Sequence, residues 1–110
     1  MEISISDKYC IITPLSPKIQ NSDIKRLSDI INQCKNFNIG LDMSTVKDCT
    51  IDFFENIRKF NNISLFNIPS DIFVILTIMK LDKTINLYVT KEDFIKSYHR
   101  VLTRNLKSIK

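Results

Sequence analysis

The spacing of apolar residues changes in the middle of the chain, between Phe37 and Phe60. From Phe37 to Met43 apolar residues occupy alternate positions, which is the period of a strand with one buried face. A polar segment follows, and from Ile51 onward the apolar residues recur every three or four positions, which predicts a helix capped by Thr50. The pattern therefore predicts a strand, a loop and a helix. The carboxyl end of such a strand is where open α/β sheets place functional groups.

The first third of the chain predicts a hairpin and a helix. Residues 2–6 and 9–13 are short segments rich in β-branched residues, and two prolines then mark a loop. A helix follows, with Asn21 or Ser22 as its expected cap. Its apolar residues share one stripe: Ile24, Leu27, Ile30, Ile31 and Cys34.

The third helix is apolar on nearly every side. Residues 63–68 predict a short strand before it, and Ser70 or Asp71 is its expected cap. Ile72, Ile75, Leu76 and Met79 form one stripe, and Phe73, Val74, Ile78 and Leu81 nearly surround it. This breadth indicates either a helix buried between neighbours or a helix that covers a partner surface.

The last segments predict a strand over residues 84–89 and a final helix. Thr90 and Asp93 form a variant of the capping box at the start of that helix. The helix is expected to bury Phe94, Ile95, Tyr98, Val101 and Leu102. The order β-β-α-β-α-β-α-β-α implies right-handed crossovers, a parallel central region and the hairpin at one edge.

Composition narrows the class of protein. With 110 residues, of which 44% are hydrophobic and 25% charged, the expectation is a single globular domain over residues 1–110. The one glycine, Gly40, excludes a glycine-rich phosphate loop. The odd count of three cysteines and the polar N-terminus favour a reduced, cytoplasmic chain. The longest apolar run, Ile72 to Met79, is too short to cross a bilayer.

Three segments carry a resemblance to a known family. Gly40 to Val46, Ile68 to Ile72 and Thr90 to Phe94, taken with the order of elements, resemble a STAS domain, the fold of bacterial anti-sigma factor antagonists. The resemblance covers nearly the whole chain. It implies a single α/β domain with a mixed sheet, an N-terminal hairpin, parallel central strands and helices mostly on one face. It also implies regulated binding to another protein rather than catalysis.

The chain departs from the family at its phosphorylation motif. Well-known members carry Asp-Ser-Ser-Gly at the start of the second helix, and an ungapped count from Asp42 places that motif on residues 50–53, which are Thr-Ile-Asp-Phe. Asp52 would then either resemble a permanently phosphorylated residue or be an ordinary acid in a first helical turn. Thr50 is either a phosphate acceptor or a simple cap, and Ser44 is the second candidate for phosphorylation.

The resemblance predicts a binding surface and a class of partner. The expected partner-binding residues are Ser44, Thr45, Asp48, Thr50, Asp52 and Phe53. The expected partner is an anti-sigma factor or a serine-kinase-like protein, and the alternative is a role as an accessory subunit of a membrane transporter or larger signalling assembly. A homodimer through the apolar faces is also compatible with the pattern. No nucleic acid is expected, since a net charge of +4 is modest. No cofactor or metal is expected either, and the single histidine excludes a histidine-based metal cluster within one chain.

Candidates for other chemistry are few. Cys49 lies beside Asp48 and a helix start, where a lowered pKa would make it a nucleophile, with His99 as the histidine to approach it. An ordinary loop cysteine is the alternative. The spacing of Asp42, Asp48 and Asp52 does not match a calcium loop. The basic residues of the last helix meet either an anionic surface or solvent: Lys96, Arg100, Arg104 and Lys107. The surplus of aromatic residues either docks a partner or widens the core: Phe53, Phe54, Phe60 and Phe73.

Overall fold

The computed structural model describes residues 1–6 and 9–97. These residues form a five-stranded sheet with helices on both faces. The strands are β1 (Glu2–Ile5), β2 (Tyr9–Thr13), β3 (Asn38–Asp42), β4 (Ile63–Phe66) and β5 (Asn86–Leu87). The helices are α1 (Asn21–Gln33), α2 (Ile51–Ile57), α3 (Ser70–Ile78) and a last helix, α4, described over residues 91–97.

The strands lie in the sheet in the order of the sequence, β1-β2-β3-β4-β5. β1 and β2 form the antiparallel hairpin, and the remaining pairs are parallel. Right-handed crossovers between strands that always advance in one direction place the connecting helices on the same face. The mixed sheet with an N-terminal hairpin and helices mostly on one face, as the sequence predicted, is confirmed.

The larger core lies between the sheet and helices α1 to α3. Alternate residues of the central segment, Ile39, Leu41 and Met43, are fully buried and point into this core, as their spacing predicted. Ile24 and Leu27 of α1 are buried against the same cluster. Each such side chain contributes about 1.5–3 kcal/mol through burial, so this face stabilises most of the domain.

The opposite face of the sheet carries a small aromatic cluster under α4. The ring of Phe94 stacks on that of Phe66 at 5.8 Å between centroids, and Ile11 completes the buried group. Gly40 lies directly beneath the rings, because a Cβ built there would lie 2.8 Å from Cε2 of Phe94. The single glycine thus allows α4 to pack closely against the central strand.

The helix starts differ from the sequence prediction by one or two residues. α1 is capped at Gln20, rather than Asn21 or Ser22, and the Gln20 backbone N–H donates to Oδ2 of Asp23 at 2.9 Å. This reciprocal contact fixes the start one residue earlier. At α3 the cap position is Pro69, so neither Ser70 nor Asp71 caps that helix.

In the C-terminal part, the strand is shorter than the sequence predicted, whereas the cap of the last helix is the predicted one. β5 has two residues instead of the six predicted, because the chain first forms a 3-10 turn, Leu81–Lys83, and the Ile85 N–H donates to the carbonyl oxygen of Leu81. The Asp93 N–H donates to Oγ1 of Thr90 at 3.1 Å, so the predicted cap of α4 is confirmed. The predicted burial of Tyr98, Val101 and Leu102 lies outside the described residues.

Candidate functional site

The loop between β3 and α2, residues 43–50, leaves the sheet at the carboxyl end of the central strand. Its first residue is tied to the next strand, since the Met43 N–H donates to the carbonyl oxygen of Phe66 at 3.0 Å. The Val46 N–H then donates back to the Met43 carbonyl at 3.1 Å, which closes a turn. Met43 and Val46 are both fully buried. The loop therefore has a fixed base in the core.

The second half of the loop is held by the segment that precedes α1. The backbone N–H groups of Lys47 and Asp48 both donate to the carbonyl oxygen of Pro17, at 2.7 and 3.1 Å. In return, the Ile19 N–H donates to the carbonyl oxygen of Asp48 at 3.0 Å. These bonds make a short parallel bridge between two loops. The prolines indicated a loop in the sequence, but nothing in their spacing predicted this partnership.

Side chains add two further restraints to the loop. Oγ1 of Thr45 donates to the carbonyl oxygen of Pro14 at 2.7 Å. Oδ1 of Asp42 accepts from the Ser44 N–H at 3.0 Å and from Nδ2 of Asn67 at 3.3 Å. Asp42 therefore positions the start of the loop, a role that the sequence did not assign to it. Together, the restraints give the loop a defined backbone conformation without a partner.

The exposed side chains of this region are mostly polar. Of the predicted partner-binding residues, the exposed ones are Ser44, Thr45, Asp48, Thr50 and Asp52. Between the last two lies Ile51, the first apolar residue of the predicted helix, which is 60% exposed. The structure thus brings five of the six predicted residues to one loop and helix start, with an apolar side chain among them. We call residues 44–52 the acidic loop.

Phe53 is the exception, and its prediction as a partner-binding residue is wrong. It is fully buried, Phe54 is 1% exposed, and their rings contact each other at 5.3 Å between centroids. Both rings face the main core, so the aromatic surplus of α2 widens the core contact instead of reaching solvent. Phe73, by contrast, is 47% exposed, so docking of a partner stays a prediction for that ring.

The start of α2 contains two residues for which the sequence predicted a role, Thr50 and Asp52. Thr50 occupies the cap position of α2, but among the described residues its side chain makes no capping hydrogen bond. Asp52 lies in the first turn, where a carboxylate interacts favourably with the helix dipole. Its backbone carbonyl accepts from Nδ2 of Asn56 at 2.8 Å. The geometry leaves the hydroxyl of Thr50 and the carboxylate of Asp52 at the protein surface.

The environment of Cys49 does not favour a nucleophile. Burial, together with the smaller effect of the negative charges of Asp48 and Asp71, raises the pKa of its thiol to about 11. The expectation of a lowered pKa is therefore wrong, because desolvation and two carboxylates outweigh the helix dipole. His99 lies outside the described residues. Within the described ranges, no three His, Cys, Asp or Glu side chains lie close enough to hold a metal ion.

A second exposed surface lies on α3. This helix buries Ile72 and Leu76, whereas Val74, Ile75 and Ile78 are exposed on its outer side. Of the two interpretations offered by the sequence, burial between neighbours is wrong.

Of the basic stripe predicted on α4, Lys96 is exposed and the other members lie outside the described residues. Over residues 1–6 and 9–97, no helix has the length and hydropathy needed to span a membrane.

No protein-family model matches the sequence, and no curated protein does so either. A comparison of structures does find a similar fold. The chain is similar to the structure of an anti-sigma-factor antagonist (STAS) domain protein from Planctomyces limnophilus, with a TM-score of 0.66 and 11% sequence identity. The match covers 87% of this chain and 94% of that one. The protein therefore has a STAS-like fold, as the sequence resemblance predicted. At this identity the likeness concerns the fold alone.

Proposed function

We propose that this protein is a non-catalytic binding domain that resembles an anti-sigma factor antagonist, and that its acidic loop contacts an anti-sigma or serine-kinase-like partner. The observation that carries the proposal is the set of exposed polar side chains on a loop whose backbone is held from two sides. A loop that is already ordered loses little conformational entropy on binding. The same loop occupies the carboxyl edge of the sheet, where α/β folds collect functional groups.

The chemistry of the acidic loop suits a protein partner with basic groups around an apolar pocket. Asp48 and Asp52 supply two carboxylates, and Ile51 lies exposed between them in the chain. An apolar anchor surrounded by polar groups is the usual composition of a specific protein interface. Complementary cations on the partner would increase the association rate and fix the orientation.

Phosphorylation belongs to the proposal as a regulated addition. Thr50 and Ser44 are the candidate acceptors, since both are exposed on the acidic loop. A phosphate on Thr50 would face Asp48 and Asp52 nearby in the chain, and like charges oppose each other. We therefore propose that Asp52 supplies the negative charge permanently, and that phosphate on either residue weakens binding rather than creating it.

The alternative role at a membrane transporter rests on the basic residues of the last helix. Within the described residues, Lys96 is the one member of that set, and its exposure alone does not favour this role over the first. Association with membranes that high salt reverses would favour the transporter role instead.

The test is capture of partners by the tagged protein from a lysate of its own cells at low salt, followed by titration calorimetry with the partner recovered. Asp52→Ala is expected to weaken binding roughly three- to tenfold, because it removes one charge from the interface. Mass spectrometry of the captured protein reads any phosphate on Thr50 or Ser44. Unchanged affinity of the Asp52→Ala variant would exclude the acidic loop as the contact.

Glu92→Ala is the matched control. Glu92 is exposed and occupies the same position in the first turn of α4 as Asp52 does in α2, two residues after the cap. Both substitutions therefore remove one acid and the same favourable helix-dipole interaction. Because α4 packs on the other face of the sheet, Glu92→Ala is expected to leave binding unchanged. Equal losses for both variants would indicate a general charge effect rather than a contact.

A further inference from the structure

The outer side of α3 is an apolar surface that residues 1–6 and 9–97 leave exposed. Phe73, Val74, Ile75 and Ile78 are 47%, 53%, 40% and 74% exposed, and Val89 is 78% exposed. A groove of about 570 Å³ lies beside the helix and is lined by both Phe73 and Val89. The exposed side chains of α3 and Val89 therefore form one continuous surface. Helices that are apolar all round are normally buried, and contiguous apolar patches mark interaction sites. We call these five residues the α3 face.

The charged residues nearest the α3 face lie at its two ends. No charged residue occurs between Asp71 and Lys80. Asp71 lies exposed in the first turn of α3, and Lys80 lies exposed just after its last turn. The one hydroxyl between Asp71 and Lys80, Oγ1 of Thr77, donates to the carbonyl oxygen of Phe73 at 3.0 Å and is satisfied internally. The face is thus apolar along its length, with an acid at one end and a base at the other.

We propose that the α3 face binds the α3 face of a second copy of this chain, with the two helices antiparallel. A two-fold axis level with Ile75 and Leu76 would place Asp71 of each copy beside Lys80 of the other, so both charges are paired at once. The nine residues of α3 span about 13.5 Å, a length over which both ends can meet their partners. Two helices with these side chains would pack about 8–10 Å apart.

The area and the charge favour a second copy over other occupants. The five side chains expose on the order of 500 Å² of apolar surface, more than half of the roughly 800 Å² that each partner contributes to a stable interface. An anionic membrane surface would require an excess of cations beside the apolar residues. Here Asp71 balances Lys80, and Asp82 balances Lys83 in the following turn. This inference concerns a different surface from the acidic loop and does not depend on the proposed function.

Sedimentation velocity of the full chain, from about 1 to 500 µM, tests the proposal. The wild-type protein is expected to pass from monomer to dimer with rising concentration. Ile78→Asp is expected to weaken dimerisation by roughly 100-fold or more, because a carboxylate would be buried in an apolar contact. Ile78→Gln repeats the test without a charge should the first variant fail to fold by circular dichroism. A wild-type chain that stays monomeric throughout would overturn the proposal.

Ile5→Asp serves as the control for a general effect of a new surface charge. Ile5 is 61% exposed and lies on β1, at the opposite edge of the sheet from α3. This variant is expected to dimerise like the wild type. A dimer that survives Ile78→Asp but dissociates with Ile5→Asp would place the interface on β1 and contradict the α3 face.

The antiparallel arrangement has its own test. Asp71→Lys and Lys80→Asp are each expected to weaken self-association roughly tenfold, because two attractive pairs become repulsive. An equimolar mixture of the two variants is expected to regain the wild-type affinity, since the two cations of one chain then face the two anions of the other. A mixture that remains dissociated contradicts the arrangement.

Flotation of a monomeric wild type with anionic vesicles, or capture of a different protein that requires Ile78, would overturn the second copy as occupant.

Discussion

Helices α2 and α3 start at the same edge of the sheet but differ in how much of their apolar surface is exposed. Each follows a strand at the carboxyl edge of the sheet, and each has more apolar residues than a narrow stripe requires. α2 follows the central strand and lies beside α1, so its two phenylalanines are buried. α3 follows β4, next to the two-residue strand β5 that ends the sheet, and four of its apolar side chains stay exposed. Position in the sheet, rather than apolar content, decides which helix becomes core.

The largest expected difference between the helices is in stability. Phe54→Ala should lower the free energy of unfolding by about 3–5 kcal/mol, because it removes a buried ring and leaves a cavity. Phe73→Ala, the same substitution in α3, should cost less than about 1 kcal/mol, since that ring is already half in solvent. Urea denaturation at low protein concentration measures both values. Similar losses for the two variants would mean that the α3 face is covered within the monomer.

The reactivity of Cys49 probes the residue before the cap of α2, where the negative charge of Asp71 in the first turn of α3 acts on the thiol. Its thiol has a pKa of about 11, so its labelling at pH 7.5 should be about 100-fold slower than that of an unstructured peptide thiol. The rate should rise about tenfold per pH unit until the pKa is reached. Peptide mapping after labelling with iodoacetamide distinguishes Cys49 from the other two cysteines. Labelling at the rate of a free peptide at pH 7.5 would contradict this environment.

The raised pKa of Cys49 also makes the stability of the protein fall at high pH. The folded protein holds the Cys49 proton more tightly than the unfolded chain does, so this stabilisation is complete below about pH 9 and is lost as the pH rises toward 11. Asp71→Asn removes one of the charges that raise the pKa, and should therefore speed labelling. Glu92→Gln, on the other face of the sheet, should leave the labelling rate unchanged.

The smallest expected effect concerns the restraint on the acidic loop. Thr45→Val removes the hydrogen bond from Oγ1 to the carbonyl oxygen of Pro14 and should cost about 0.5–1.5 kcal/mol. Thr77→Val is the matched substitution in α3, where the lost bond lies within one helical turn and is exposed. It should change stability by less than about 0.5 kcal/mol. Thermal unfolding of both variants would measure the difference, and equal values would mean that the Pro14 contact does not restrain the loop.

The regular elements were predictable because each has a local cause. Alternation from Ile39 to Met43 follows from a strand with one face in the core, and the cap of α4 at Thr90 follows from a side chain that reaches Asp93. The order of these elements also predicted the parallel sheet, since crossovers have one hand. The resemblance to STAS domains predicted the same fold from short motifs, and the structure comparison agrees with it.

The surfaces were harder to predict because they depend on neighbours distant in the sequence. The resemblance suggested Phe53 as a partner contact, and that assignment was wrong because the ring is fully buried. Whether a residue on a broadly apolar helix meets solvent depends on which helix lies next to it, and α1 is about 20 residues or more away in sequence. The bonds from the acidic loop to Pro17 are likewise invisible in local patterns.

We expect the partner to contact the acidic loop and not the α3 face. Hydrogen–deuterium exchange of the protein, alone and in complex with its captured partner, distinguishes the two surfaces. Exchange of backbone amides over residues 44–52 should be slower in the complex, and exchange over residues 73–78 should be unchanged. Protection of residues 73–78 with no change over residues 44–52 would contradict this expectation, and would assign the partner to the apolar surface at the sheet edge.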